Sequence, residues 1–134
     1  MKKVLILTAG SGGAHHAAAQ NLRAALELVS DDVQVEVLDL FESTYGSLDT
    51  LVRSAWSGVA EYAPRVWGGL HSLLNHSSFV GNRSGAFARL QNALGDILHE
   101  TQPDCVISTH PMYARVIQEL FRDHSERPFR FITV

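Results

Sequence analysis

The stretch Val4-Leu5-Ile6-Leu7-Thr8-Ala9-Gly10-Ser11-Gly12-Gly13-Ala14-His15-His16-Ala17-Ala18-Ala19 decides the fold. An apolar run, a glycine-rich turn and a helix start follow one another. Val4–Leu7 is apolar without alternation, as in a parallel strand covered on both faces. The glycines let a backbone approach a ligand without a Cβ clash. A helix N-terminus offers unpaired N–H groups and partial positive charge, so strand, turn and helix together make an anion-binding corner. The turn is not a P-loop, since no Gly-Lys-Ser/Thr follows. Gly10-Ser11-Gly12 supplies only part of the dinucleotide fingerprint. On pattern alone two readings stay open: a phosphate loop at Ser11, Gly12 and Gly13, or a tight turn whose glycines serve geometry.

The 134 residues suffice for one domain with a core, and 46% hydrophobic content is that of a globular protein. A net charge of −3 argues against a general nucleic-acid partner. The single cysteine, Cys105, excludes a disulfide framework and reads as a small buried hydrophobe. No apolar segment reaches membrane-spanning length, and the N-terminal run is too short for a signal sequence. Phe129–Val134 is a strand pattern that runs to the last residue, which suggests a piece of something larger.

Outward from the turn, the first strand spans Lys3–Thr8. The first helix spans Ala14–Val29, with Ala18, Leu22, Ala25, Leu26 and Val29 as its apolar stripe. His15 lies on the stripe side and is expected to face the crevice. His16 is rotated about 100° away and is expected to be exposed. The second strand covers Val33–Leu40, where Asp39 reads as a strand-end residue with a local capping role.

Between Leu48 and His76 two helical stripes flank Pro64 and carry Trp56 and Trp67. They read either as core helices of a long crossover or as an amphipathic surface for an apolar ligand or bilayer. Ser77-Ser78, Gly81-Asn82 and Ser84-Gly85 mark a break. A helix over Ala86–Thr101, a strand over Asp104–Ser108, a helix with Tyr113, Val116, Ile117, Leu120 and Phe121, and a strand over Phe129–Val134 complete the chain.

This alternation predicts a Rossmann-like doubly wound parallel α/β sheet of about four strands, order 2-1-3-4. Helices cover both faces, and a helical insertion follows strand two. Ligands bind such sheets where the strand order reverses, at the C-terminal strand ends. The two loops there are Gly10–His15 and Thr109-His110-Pro111. Neighbouring strands lie about 4.8 Å apart, so His15 and His110 are expected to converge on one crevice.

The segments Val4-Leu5-Ile6-Leu7-Thr8-Ala9, Ser11-Gly12-Gly13-x-His15-x-Ala17-Ala18, Val35-Glu36-Val37-Leu38-Asp39, Pro103-Asp104-x-Val106-Ile107-Ser108-Thr109-His110-Pro111 and Phe131-Ile132-Thr133-Val134 stand in this order. Together they resemble the N-terminal domain of the monogalactosyldiacylglycerol synthase and processive diacylglycerol glucosyltransferase family. The chain is more distantly similar to the transferase that adds N-acetylglucosamine to the lipid-linked peptidoglycan precursor. The resemblance covers essentially the whole chain and implies the first domain of a GT-B glycosyltransferase, with the C-terminal donor-binding domain absent. An isolated copy is then expected not to transfer sugar alone.

The resemblance further implies a diacylglycerol-type acceptor, a nucleotide-sugar donor held mainly by the other domain, and no metal or other cofactor. It makes His15 the general base, and Ser11, Gly12 and Gly13 the donor-phosphate loop. Thr109 and His110 become a site wall, and Trp56 and Trp67 candidate acceptor or membrane contacts. It places the protein in the cytoplasm, peripheral on the membrane surface. Ala14 stands where the family has a third glycine, and its methyl bears on the space for donor phosphates.

Three alternatives are weighed beside this. A stand-alone nucleotide- or phosphate-binding module would need only the glycine turn. A metal-dependent hydrolase would need His15, His16 and His110 to converge, but adjacent helical histidines point apart. Without the family resemblance, His15 would be only a helix-start histidine bonded to a loop.

Overall fold

Unbroken apolar strands need cover on both faces, and the chain supplies it by winding helices to either side of a parallel sheet. The computed structural model describes residues 1–10, 13–45 and 85–134. In chain order the elements are β1 (Lys2–Thr8), α1 (Ala14–Val29), β2 (Val33–Asp39), α2 (Leu40–Tyr45), α3 (Gly85–Thr101), β3 (Cys105–Ser108), α4 (Pro111–Leu120) and β4 (Arg130–Thr133). Among the described residues the sheet has four strands in the order β2-β1-β3-β4. All neighbours are parallel, with Val4 opposite both Val35 and Cys105, and Ser108 opposite Thr133. The predicted fold and strand order are therefore observed.

Central strand β1 divides the core by its two-residue alternation. Leu5 and Leu7 join Val106, Leu90, Leu94, Tyr113, Val116 and Ile117 on the face covered by α3 and α4. Ile6 joins Ile107 and Ala19 on the face covered by α1. Each of the most enclosed leucines and isoleucines contributes about 1.5–3 kcal/mol by burial.

Two boundaries depart from the sequence expectations. Leu40 opens α2 instead of ending β2, because Asp39 caps a helix start there with Oδ1, which accepts from the N–H groups of Phe41 and Glu42. The α1 stripe is also rotated. Ala19 is its fully buried member, with Leu22 and Leu26 packed beside it, whereas Ala25 is exposed and Val29 is 77% exposed. Spacings of four, three and four along His15, Ala19, Leu22 and Leu26 follow the helical repeat and keep His15 on the sheet side. The helices expected over Leu48–His76, with Trp56 and Trp67, lie outside the described residues, as do Ser11, Gly12 and the break as far as Ser84. Gly85 falls within α3.

Candidate active-site crevice

The C-terminal ends of β1 and β3 bring two sequence-distant loops together. His15 is the second residue of α1. His110 immediately precedes α4. Both are half-buried, while His16 is exposed. The His15 and His110 rings meet edge-on, with centroids 4.9 Å apart and planes at 70°.

Each histidine is fixed by its neighbours. Gly13 caps α1 at φ +68°, and a Cβ there would meet nothing within 4 Å. The glycine is thus required by backbone conformation and not by lack of room. No side chain caps α1. The residue before Pro111 is sterically confined to extended backbone, and His110 adopts φ −134°, ψ 131°. Ser108 Oγ donates to the His110 carbonyl at 2.6 Å and accepts from its N–H at 3.3 Å. The His110 side chain then caps α4, with Nδ1 accepting from the Met112 N–H at 3.2 Å.

Thr109 connects the two loops. Its Oγ1 lies 3.1 Å from Thr8 Oγ1 and 3.1 Å from the His15 carbonyl oxygen. Thr8, Ser108 and Thr109 are all buried. A buried hydroxyl without a partner would cost about 1–3 kcal/mol; Thr8 and Thr109 pair with each other, and Ser108 pairs with the His110 backbone.

Three further residues complete the frame. Asp39 Oδ2 accepts from the Gly10 N–H at 2.6 Å, so one carboxylate anchors both Gly10 and α2. In dinucleotide-binding folds an acid after the glycine turn holds the ribose; this one is spent on backbone. Fully buried Tyr113 donates from its hydroxyl to the Thr8 carbonyl at 2.6 Å and accepts from the Leu40 N–H at 3.1 Å. Phe41 sits between them, 5.4 Å from the rings of both His110 and Tyr113.

Burial, and secondarily the neighbouring His15, hold the His110 imidazole below its ordinary value of 6.5; Asp39 opposes them. Burial likewise raises the Cys105 thiol, which is half-buried against the α1-side core.

Of the expected site residues, the structure brings together Gly13, His15, Thr109 and His110. Ser11, Gly12, Trp56 and Trp67 lie outside the described residues. Sequence reasoning took Tyr113 as an apolar stripe position. A tyrosine there, where phenylalanine would fill the same core, is the signal that its hydroxyl has a partner. Phe41 gave no signal, since its place depends on the Asp39 cap. Two open cavities, of about 690 and 440 Å³, lie at the opposite end of the sheet around Phe121 and Phe129. Neither contains the paired histidines. Among the described residues no helix is long and apolar enough to cross a membrane.

Fold and crevice together define a Rossmann-like α/β domain whose topological switch lies between β1 and β3, the place where sheets of this kind bind ligands. The family model for monogalactosyldiacylglycerol (MGDG) synthase matches residues 15–134, and the chain belongs to that family. It is 34% identical over 127 residues to a probable chloroplastic monogalactosyldiacylglycerol synthase of Glycine max, and 33% identical to the chloroplastic monogalactosyldiacylglycerol synthase of Spinacia oleracea. Each match covers 90% of this chain and 23% of the relative. An uncharacterized glycosyltransferase of Bacillus subtilis, YkoN, is 29% identical over 125 residues, covering 90% of this chain and 32% of that protein. The chain thus spans about a quarter to a third of the length of these relatives. No solved structure matches it.

Proposed function

We propose that this chain is the acceptor-binding half of a glycosyltransferase that moves a hexose from a nucleotide sugar to a diacylglycerol-type lipid, in glycolipid synthesis. Family membership supports the reaction class. The observation that carries the site is the half-buried His15 at the start of α1, faced by His110 at 4.9 Å. His15 takes the proton of the acceptor hydroxyl as that oxygen bonds to the sugar's anomeric carbon. The bond from that carbon to the nucleotide diphosphate breaks, and the diphosphate leaves with the electron pair. The uncapped α1 N-terminus offers N–H groups to the departing phosphate, and Ser11, Gly12 and Gly13 are assigned to the same donor-phosphate role. Ala14 follows Gly13 on an exposed position, where the family has a third glycine.

In this reading the protein has the GT-B architecture and works at the cytoplasmic membrane surface. Most of the donor site then belongs to a second domain, and the 134 residues alone do not transfer sugar. The experiment is turnover of full-length protein with nucleotide sugar and diacylglycerol. His15→Ala is expected to lower kcat at least 100-fold with an unchanged circular dichroism spectrum. Wild-type turnover by that variant refutes the base assignment.

A further inference from the structure

The family-level reading assigns His110 to the crevice wall and gives it no chemistry. Its hydrogen bonds say more. A backbone N–H can only donate, so the bond from Met112 N–H to Nδ1 requires that nitrogen to be unprotonated. The neutral ring then carries its proton on Nε2. Among the described residues no hydrogen bond engages Nε2, and no buried side-chain nitrogen or oxygen lacks a partner. Nε2 is therefore not sealed in the core but reaches solvent. The Met112 N–H orients the ring, Ser108 holds its backbone on both sides, and the rings of His15, Phe41 and Tyr113 lie around it.

We propose that His110 is a fixed, uncharged hydrogen-bond donor, presenting Nε2–H to a ligand oxygen in the crevice beside His15. The inference rests on the reading of that crevice as the transfer site and adds a second polar group to it. The groups facing His110 are His15 from α1, Asp39 at the end of β2 and Tyr113 of its own helix α4. Two physical consequences follow. First, His110 cannot serve as the base, since its only free nitrogen already bears a proton. Second, its neutrality suits its place, because an imidazolium at 4.9 Å would oppose the proton that His15 must take up. Burial keeps His110 in the neutral form, as the lowered affinity for a second proton requires. A neutral imidazole at a helix N-terminus donating to a substrate oxygen is an established way to polarise it without charge. The oxygen is a phosphate oxygen of the donor or a hydroxyl oxygen of the acceptor, which share acceptor lone pairs.

The test uses full-length protein labelled with ¹⁵N-histidine, read by two-bond nitrogen–proton NMR near neutral pH. The expected pattern is a pyridine-like Nδ1 and a protonated Nε2 at His110, with Nε2 shifting on addition of either pyrophosphate or diacylglycerol micelles. The responding probe identifies the oxygen. A proton on Nδ1, an imidazolium near neutral pH, or no response to either probe overturns the proposal. His110→Asn separates donor from cap, because asparagine is a good N-cap and cannot extend an N–H as far as Nε2. His110→Asn and His110→Ala should both lose at least tenfold in kcat, with the asparagine variant melting nearer to wild type. Full turnover in His110→Asn overturns the donor role. The NMR pattern at His110 is also recorded in His15→Ala. If that variant turns over normally while the His110 pattern and response persist, the base assignment fails and this one stands.

Discussion

The hydroxyl of Thr109 lies 3.1 Å from the main-chain carbonyl of His15, across 94 residues of sequence. It joins the end of β3 to the first turn of α1, so the helix that carries His15 is tied to the loop that carries His110. Thr8 Oγ1 completes the link from β1. The relative position of the two imidazoles is therefore set by a hydroxyl that touches neither ring.

Thr109→Val tests this link, since it keeps the volume and removes the hydroxyl. The His15 carbonyl and Thr8 Oγ1 lose a partner inside a buried network, at a cost of about 1–3 kcal/mol. Urea denaturation should show an earlier midpoint. Steady-state kinetics of the full-length enzyme should show kcat reduced more than tenfold with KM changed little. Unchanged kcat would mean that the helix start is positioned by other contacts.

Tyr113→Phe should leave the buried Leu40 N–H and the Thr8 carbonyl without the hydroxyl that joins them. The ring still fills the core, so the loss is polar and amounts to about 2 kcal/mol. Thermal melting read by circular dichroism checks it. A melting curve superposable on the wild type contradicts the bridging role.

His110 binds a proton less readily folded than unfolded, because burial and His15 disfavour its charge. Below its ordinary value of 6.5 the unfolded chain takes up more protons there. The stability contributed by neutral His110 is complete above that value and is lost as pH falls through the lower folded value. Urea titrations of wild type and His110→Asn at about pH 5 and about pH 7.5 isolate the effect. Wild type should lose more stability on acidification than the variant. Equal losses would show that His110 titrates alike in both states.

Trp56 and Trp67 are proposed to meet the acceptor or bilayer, where indole rings favour the interface between apolar chains and water. Full-length protein carrying both Trp56→Ala and Trp67→Ala should co-sediment with diacylglycerol-containing anionic vesicles several-fold less than wild type. Undiminished co-sedimentation removes the tryptophans from that role.

Much of the fold was legible because its signals are local. Val4–Leu7 and Cys105–Ser108 read as parallel strands from unbroken apolar runs. Gly13 read as the residue before a helix, and Pro103 as a helix stop. His15 and His110 were placed in one crevice by topology alone, since strand order 2-1-3-4 puts both loops at the switch point. Asp39 was legible as a cap but not as the anchor of Gly10. The α1 stripe was misplaced because Ala18 and Ala19 are chemically identical, and only contact with Ile6 and Ile107 selects Ala19.

The sequence by itself determined the order of elements, the sheet topology and the pair of histidines, because periodicity, glycines and prolines act over a few residues. Only the tertiary structure decided how those histidines are held. The Tyr113 bridge from Thr8 to Leu40, the Thr109 link to His15 and the Asp39 clasp on Gly10 all join groups far apart in the chain. Such bonds form because buried polar groups must find partners wherever packing brings them. The tautomer of His110 also draws on both levels. His110-Pro111 sets the helix start locally, while packing against His15 and Phe41 and the bond to Nδ1 leave Nε2 without a partner among the described residues.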